Sequence, residues 1–204
     1  MNYLAHAFLS FGQPDILAGN MIADFVKGRR MYAYPAGILK GIRLHRAIDD
    51  FTDCHPVTRE AKSFFRTACG LYSGVFTDVV YDHFLANDPR YFGKEALQQF
   101  SQDTYRSLQT YEAVFPEGFG TLFSYMRRHD WLYSYLGWDG VERAFNGIYR
   151  RARYLSADAG ALTAFRTHYE ALSDCYADFI PEVMQFAESY PQPPEGGVTV
   201  KDEG

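Results

Sequence analysis

The spacing of apolar residues is the feature of this sequence that most restricts its fold. Aromatic residues make up 17% of the chain, and such a content is compatible with strands as well as helices. After Pro14, and again after Pro35, the apolar residues recur at intervals of one, three or four, which is the period of an amphipathic helix. Alternating polar and apolar runs joined by hairpin turns do not occur. The sequence therefore predicts an all-α fold.

Helix boundaries follow from prolines, glycines and interruptions of the apolar period. The predicted helices begin at Pro14, near Pro35 and at Pro56, and then run over Ser73–Asn87, Ala96–Val114, Phe119–Tyr135, Val141–Arg153 and Ala159–Tyr190, the last with Pro181 as a candidate kink. Asp139-Gly140 is a candidate local turn. We expect about eight to nine helices in one domain over residues 1–190. The tail, residues 191–204 (PQPPEGGVTVKDEG), has a composition typical of disorder.

Composition and charge exclude several classes of protein. The chain has 204 residues, of which 47% are hydrophobic, as in a soluble single-domain protein. The formal net charge of −5 argues against a nucleic-acid-binding protein, and no run of about 18 apolar residues predicts a membrane span. The three cysteines (Cys54, Cys69 and Cys175) have neither disulfide-framework nor zinc-site spacing. A reducing, cytoplasmic location is therefore expected.

Ionisable residues on apolar helices are the main functional signal. His45 and Asp49 are four residues apart and so share one helix face, and Asp53 is rotated by only about 80° from His45. An imidazole and a carboxylate on one face are suitable ligands for a divalent cation. A solvent-exposed polar stripe paired with Arg43 or Arg46 would explain the same spacing. Both interpretations are open on this segment alone.

A second group lies further along the chain. Asp78 and Asp82 are four residues apart, with His83 beside the second, and apolar residues surround all three. Two carboxylates on one helical turn repel each other unless a cation lies between them, although an exposed face would also tolerate them. Asp24 and His6 are each flanked by apolar residues. Taken together, this set of His and Asp on successive helices resembles the metal sites of all-helical phosphohydrolases.

Four sequence motifs carry a closer resemblance. MNYLAHAFLS, GNMIADFVKG, GIRLHRAIDDFTDCHP and DVVYDHFLAND, in this order over roughly residues 1–90, resemble the acyl carrier protein phosphodiesterase family. That family is regarded as a divergent relative of the HD-type metal-dependent phosphohydrolases. The resemblance implies hydrolysis of the phosphodiester between 4′-phosphopantetheine and a serine of acyl carrier protein. It also implies a divalent metal cofactor, with manganese as the first candidate.

The resemblance also implies which residues form the site. The family's polar pattern places the metal ligands among Asp24, His45, Asp49, Asp78, Asp82 and His83, with His6 and Asp53 as further members. A metal-activated hydroxide would attack the phosphorus atom, and His45 or His83 would protonate the leaving serine oxygen. Asp24 would be the third catalytic residue. Five basic residues are candidates for holding the phosphate or the acidic carrier protein: Lys27, Arg29, Arg30, Arg43 and Arg46.

The distribution of charge is compatible with an acidic protein partner. Residues 1–153 contain 18 Lys and Arg against 16 Asp and Glu, whereas the remaining residues contain 2 against 9. The negative balance therefore belongs to the end of the chain and not to the motif-bearing part, where the local field would steer a partner.

Two alternatives stay open: a phosphohydrolase acting on a nucleotide or another small phosphodiester, and a helical module that docks an acidic protein without cleaving it.

Overall fold

The fold is built of α-helices throughout the described part of the chain, which in this computed structural model comprises residues 1–156 and 160–191. Within those residues no strand occurs, so the predicted all-α class is confirmed. The eleven α-helices there are α1 (Tyr3–Phe8), α2 (Pro14–Ile22), α3 (Ala36–Cys54), α4 (Pro56–Cys69), α5 (Ser73–Asn87), α6 (Lys94–Gln109), α7 (Phe119–Arg128), α8 (Trp131–Ser134), α9 (Trp138–Arg151), α10 (Ala161–Thr167) and α11 (Tyr169–Ser189). Short 3₁₀ turns cover Ala23–Phe25 and Gly28–Ala33, between α2 and α3.

Proline marks the starts of helices as the sequence predicts. Pro14 and Pro56 lie in the first turns of α2 and α4, where the missing N–H of proline costs no hydrogen bond. Pro35 immediately precedes α3. The bounds predicted for α5, Ser73–Asn87, are confirmed.

Three predicted helices end early or divide in the structure, and the two that divide, together with α1, account for the eleven α-helices found among the described residues where eight to nine were expected. The helix predicted over Ala96–Val114 ends at Gln109 and continues as a 3₁₀ turn. The one predicted over Phe119–Tyr135 breaks at Asp130, whose φ of 44° lies in the left-handed region. The last one divides at His168 into α10 and α11.

The turn predicted at Asp139-Gly140 is wrong, because both residues belong to α9. Asp139 lies in the first turn of this helix, where a carboxylate interacts favourably with the unpaired N–H groups and the helix dipole.

Helix α5 occupies the centre of the core. Residues on all of its sides are buried from Phe76 to Ala86, as expected for a helix that is surrounded by other helices. It contacts α1, α4, α9 and α11, and the ring of Phe76 lies against those of Phe65 and Phe145. Because Asp82 and His83 are consecutive residues of this helix, their side chains point into the protein in different directions.

Helices α2 and α3 approach each other so closely that their backbones are in contact. A Cβ atom added to Gly19 of α2 would overlap the carbonyl oxygen of Ile38, and one added to Gly41 of α3 would overlap that of Ile16. Only glycine allows this approach at either position. The contact fixes the end of α2, which leads into Asp24, against the helix that carries His45 and Asp49.

The remaining predictions on chain organisation concern the tail and membranes. From residue 192 onward the predicted disordered tail lies outside the described residues. None of the described helices combines the length and apolar character that crossing a membrane requires. Cys54, Cys69 and Cys175 are all free thiols.

The Gly41→Ala variant tests the backbone contact between α2 and α3. We expect the added methyl group to force the helices apart and to lower the free energy of unfolding by about 1–3 kcal/mol, measured by urea denaturation with circular dichroism. The control is Gly147→Ala, since a Cβ at this position within α9 meets no atom within 4 Å. This control is expected to stabilise the helix by about 0.5–1 kcal/mol. Equal effects of the two substitutions would contradict the close contact.

Candidate metal centre

Two histidines and one aspartate form a compact group where α1 meets α3. His6 comes from α1, and His45 and Asp49 come from successive turns of α3. One ligand atom from each of the three lies within 4.8 Å of the other two. The shared face predicted for His45 and Asp49 is therefore present, and a third donor from another helix completes it.

Asp49 bridges the two imidazoles. Its Oδ1 atom lies 3.2 Å from Nε2 of His6, and its Oδ2 atom lies 3.1 Å from Nε2 of His45. The two rings are stacked, with 3.9 Å between their centroids and 18° between their planes. Both Nε2 atoms thus lie within 3.2 Å of one carboxylate, close enough for the three side chains to share a cation or a proton.

Asp24 extends this group to the protein surface. The 3₁₀ turn that follows α2 places its Oδ1 atom 3.2 Å from Nε2 of His45. The Asp24 side chain is 65% exposed, whereas His6 and His45 are buried. The group therefore has three donors on packed helices and a fourth on its solvent-facing side.

The charges of these residues are strongly coupled. Burial disfavours a charge on His45, but the hydrogen bonds and negative charges of Asp24 and Asp49 outweigh it and raise the pKa of His45 to about 9. Burial and the positive charge of His45 lower the pKa of His6 to about 4. Although burial opposes it, contact with His45 and His6 holds the pKa of Asp49 well below its usual range, and the hydrogen bond with His45 lowers that of Asp24. At neutral pH the protein thus has one charged imidazole between two carboxylates.

The buried atoms of His6 indicate room for a further partner. Neither Nδ1 nor Nε2 of this ring has a hydrogen bond of suitable geometry among the described residues, although Nε2 lies near Asp49. A buried polar atom without a partner is costly, and a cation held by His6, His45 and Asp49 would provide a partner for one nitrogen of the His6 ring. Imidazole nitrogen with carboxylate oxygen is a donor set suited to Mn²⁺ or Zn²⁺. The residues present therefore fit a divalent metal.

Asp78 is connected to this group through the first residue of the chain. The α-amino nitrogen of Met1 lies 3.3 Å from Oδ1 of Asp49 and 3.2 Å from Oδ1 of Asp78. Burial raises the pKa of Asp78, and the Met1 ammonium opposes that shift. Asp78 thus borders the group of His6, His45 and Asp49, and the Met1 ammonium lies between it and Asp49.

Asp82 and His83 lie outside the converging group and contact different neighbours. The Asp82 carboxylate accepts hydrogen bonds from the backbone N–H groups of Leu4 and Ala5 in α1. Nδ1 of His83 lies 2.8 Å from the carbonyl oxygen of Tyr135, and its Nε2 lies 3.3 Å from the Tyr169 hydroxyl. The sequence motif groups both residues with His45. The structure does not bring either of them together with it.

Burial determines the pKa values of both residues. It raises the pKa of Asp82 to about 7, against the effect of the two backbone hydrogen bonds, and it lowers the pKa of His83. The His83 ring packs among those of Phe84, Trp138 and Phe165. His83 thus belongs to an aromatic cluster that joins α5 to α9 and α10.

Asp53 also lies apart from the group. Its carboxylate is 72% exposed and accepts a 2.6 Å hydrogen bond from Nζ of Lys62 in α4. The last turn of α3 therefore directs Asp53 toward α4, and Asp53 does not belong to the group that His6, His45 and Asp49 form.

The predicted basic residues belong to two elements. Three are in the segment that follows Asp24, and two are on α3. Lys27, Arg29 and Arg30 are exposed, and no ion pair to them is found within the described residues. Arg46 donates a 2.7 Å hydrogen bond to the carbonyl oxygen of Val26 and lies 3.0 Å from the sulfur of Met31, so it fastens this segment to α3. The Arg43 guanidinium lies 5.8 Å from the centroid of the Tyr32 ring. Lys27, Arg29 and Arg30 form an exposed basic rim.

Sequence reasoning gave His6 less weight than its position warrants and missed Asn20. The Asn20 side-chain amide donates a 2.9 Å hydrogen bond to the carbonyl oxygen of His6. The available signal was the occurrence of a histidine and an asparagine within otherwise apolar helices, where a polar side chain needs a partner. Their mutual contact depends on the packing of α1 against α2, which spacing in the sequence does not reveal.

Comparison with known proteins gives one consistent result. A family model described as acyl carrier protein phosphodiesterase matches residues 1–183. The chain is 33% identical to the acyl carrier protein phosphodiesterase of Enterobacter sp. (strain 638) over 190 residues, which cover 93% of this chain and 98% of the relative. It is 32% identical to the Yersinia pestis protein of the same name over 189 residues, covering 92% and 98%.

The relatives extend to Salmonella paratyphi A, whose acyl carrier protein phosphodiesterase is 33% identical over 185 residues, covering 90% of this chain and 96% of the relative. No solved structure matches the chain, so the HD-like character of the fold stays a prediction. The family model and the relatives agree over nearly the whole described chain. The chain belongs to the acyl carrier protein phosphodiesterase family, a family of enzymes.

Proposed function

We propose that this protein hydrolyses the phosphodiester that joins 4′-phosphopantetheine to a serine of acyl carrier protein, giving apo-carrier protein and free 4′-phosphopantetheine. The observation that carries the proposal is the convergence of His6, His45 and Asp49 in a chain whose relatives are named acyl carrier protein phosphodiesterases. Family membership favours this substrate over a nucleotide or another small phosphodiester. The contacts of Asp49 with both imidazoles favour a hydrolytic centre over a docking module without activity.

We propose further that the centre holds a divalent cation, with Mn²⁺ as the first candidate. His6, His45 and Asp49 would hold it, and Asp24 would complete the set from the solvent-facing side. When bound, such a cation supplies Lewis-acid stabilisation of the charge on the phosphoryl oxygens. Because imidazole ligands must be neutral, binding at this centre requires loss of the proton of His45.

The protein residues around the centre position the reactants. The Asp24 carboxylate is ionised at neutral pH and exposed, so it can accept a hydrogen bond from the attacking water and orient it. The basic rim lies directly after Asp24 in the chain and can bind the phosphate or the acidic surface of the carrier protein. His83 is not assigned the role of proton donor in this proposal, because the Tyr135 carbonyl and the Tyr169 hydroxyl occupy its two ring nitrogens.

The Asp49→Asn variant tests the centre. Loss of the charge that bridges both imidazoles is expected to lower kcat/KM by about 100-fold or more. Activity is measured as loss of the phosphopantetheine mass from holo-carrier protein, by intact-protein mass spectrometry with Mn²⁺ present. The matched control is Asp53→Asn, since Asp53 is also on α3 but pairs with Lys62 at the surface, and we expect it to retain full activity. Intact holo-carrier together with cleavage of small diesters by the wild-type protein would favour the nucleotide alternative.

The pH dependence of Mn²⁺ binding tests the assignment of His45 as a ligand. With the pKa of His45 at about 9 in the metal-free protein, binding below that pH displaces one proton, so the affinity should rise about tenfold per pH unit. Isothermal titration calorimetry between about pH 6.5 and 8, in buffers of different ionisation enthalpy, measures both the affinity and the released proton. An affinity that does not change with pH, or full activity after treatment with a chelator, would contradict the proposal.

Charge reversal on the basic rim tests its role in substrate binding. The double variant Arg29→Glu/Arg30→Glu is expected to raise KM for holo-carrier protein about tenfold, to leave kcat nearly unchanged and to weaken the salt dependence of kcat/KM. Steady-state assays at several salt concentrations measure these quantities. The control is Arg106→Glu on α6, where the arginine pairs with Asp103. An unchanged KM in the double variant would show that the carrier protein docks elsewhere.

A further inference from the structure

We propose that Asp82 is a positioning residue for this reaction: it clamps α1 and thereby holds His6 in the metal centre, without binding the metal itself. The inference rests on the proposed function, and it assigns a different role to a carboxylate that the sequence motif predicts as a ligand.

Asp82 caps the N-terminus of α1 from another helix. Its carboxylate, which is 0% exposed, accepts hydrogen bonds of 2.8 Å from the N–H of Leu4 and 3.1 Å from the N–H of Ala5. These are the second and third residues of α1, whose N–H groups have no partner within the helix. Asn2, the residue at the N-cap position, makes no capping hydrogen bond with its own side chain. Asp82 on α5 therefore supplies the cap that the local sequence does not.

The position of His6 depends on this clamp. Helix α1 has six residues, and a helix of that length is unstable by itself because nucleation costs more than its few hydrogen bonds return. His6 directly follows Ala5, one of the two clamped residues. On the other side, the Asn20 amide and the Ser10 hydroxyl both donate to the His6 carbonyl oxygen, at 2.9 and 2.8 Å. The backbone around His6 is thus fixed between α5 and α2.

The same contacts argue against Asp82 as a ligand. Both of its oxygens are already engaged with N–H groups at the start of α1. To reach His45 or Asp49, the carboxylate would have to release both hydrogen bonds and leave two buried N–H groups without partners. The ligand-forming group found in the structure consists of His6, His45 and Asp49, without Asp82.

Hydrogen exchange of the metal-free protein tests the clamp independently of activity. In the near-isosteric Asp82→Asn variant one backbone N–H faces an amide nitrogen, so we expect peptides over residues 3–8 to exchange at least about tenfold faster. Peptides of α3 are expected to exchange as in the wild-type protein, which serves as the internal control. Far-UV circular dichroism establishes that the variant is folded.

Mn²⁺ titration then separates a positioning residue from a ligand. We expect Asp82→Asn to bind Mn²⁺ with the wild-type stoichiometry and an affinity about 10- to 100-fold weaker, with kcat/KM recovering in excess Mn²⁺. Asp49→Asn is the contrasting variant and should not recover. Asn20→Ala, which releases the other side of His6 and cannot remove a carboxylate ligand, should weaken Mn²⁺ binding in the same way. This second variant keeps the proposal testable if Asp82→Asn does not fold.

Three results would overturn the proposal. Wild-type exchange over residues 3–8 in Asp82→Asn would show that Asp82 does not clamp α1. Loss of Mn²⁺ stoichiometry that excess metal does not restore, with α1 protected as in the wild type, would identify Asp82 as a ligand. Faster exchange of α1 with unchanged Mn²⁺ affinity and kcat/KM would show that the clamp does not serve the centre. Failure of the wild-type protein to bind Mn²⁺ and cleave holo-carrier would instead overturn the proposed function, and the exchange result would then describe the clamp alone.

Discussion

The backbone contact between α2 and α3 determines where the candidate metal centre lies. Gly19 and Gly41 allow the two helices to touch without intervening side chains, and this brings the turn that carries Asp24 against the helix face that carries His45. A wider separation would remove the 3.2 Å contact between these two side chains. The other elements add to this pair: α1 brings His6 onto it, and Arg46 fastens the segment with the basic rim to α3.

The centre concentrates charge in a place where isolated charges would be unfavourable. Asp49 is shared by two imidazoles and the Met1 ammonium, and His45 is shared by two carboxylates, so each of these two charges has at least two oppositely charged or polar neighbours. Removing one partner from such a network exposes the others to the desolvation penalty of burial. The network therefore couples the protonation of His45 to that of Asp24 and Asp49, and any ligand that binds there acts on all of them at once.

The sequence predicts local features of this protein well and their assembly only in part. The bounds of α5 and the shared face of His45 and Asp49 depend on residues close together in the chain, and both predictions are confirmed. The break at Asp130 depends on a left-handed backbone conformation of a residue other than glycine, which no local signal reveals.

The roles of Asp82 and His83 could not be derived from their spacing either. The two residues are adjacent in a helix that is buried on all sides, so each points to a different neighbour, one to α1 and the other to the aromatic cluster. Motif spacing identifies which residues are polar in an apolar context. The three-dimensional packing decides whether such a residue meets a ligand, a backbone N–H group or a ring.

The clamp between Asp82 and α1 also has a consequence for the order of folding. The two partners of its shorter hydrogen bond are 78 residues apart, and contacts of such sequence separation form only after the loop-closure entropy of the intervening chain has been overcome. His45 and Asp49 share a face as soon as α3 forms, whereas His6 joins them only when α5 is in place to receive α1. The complete donor set therefore requires the long-range docking of α1 as well as the local formation of α3.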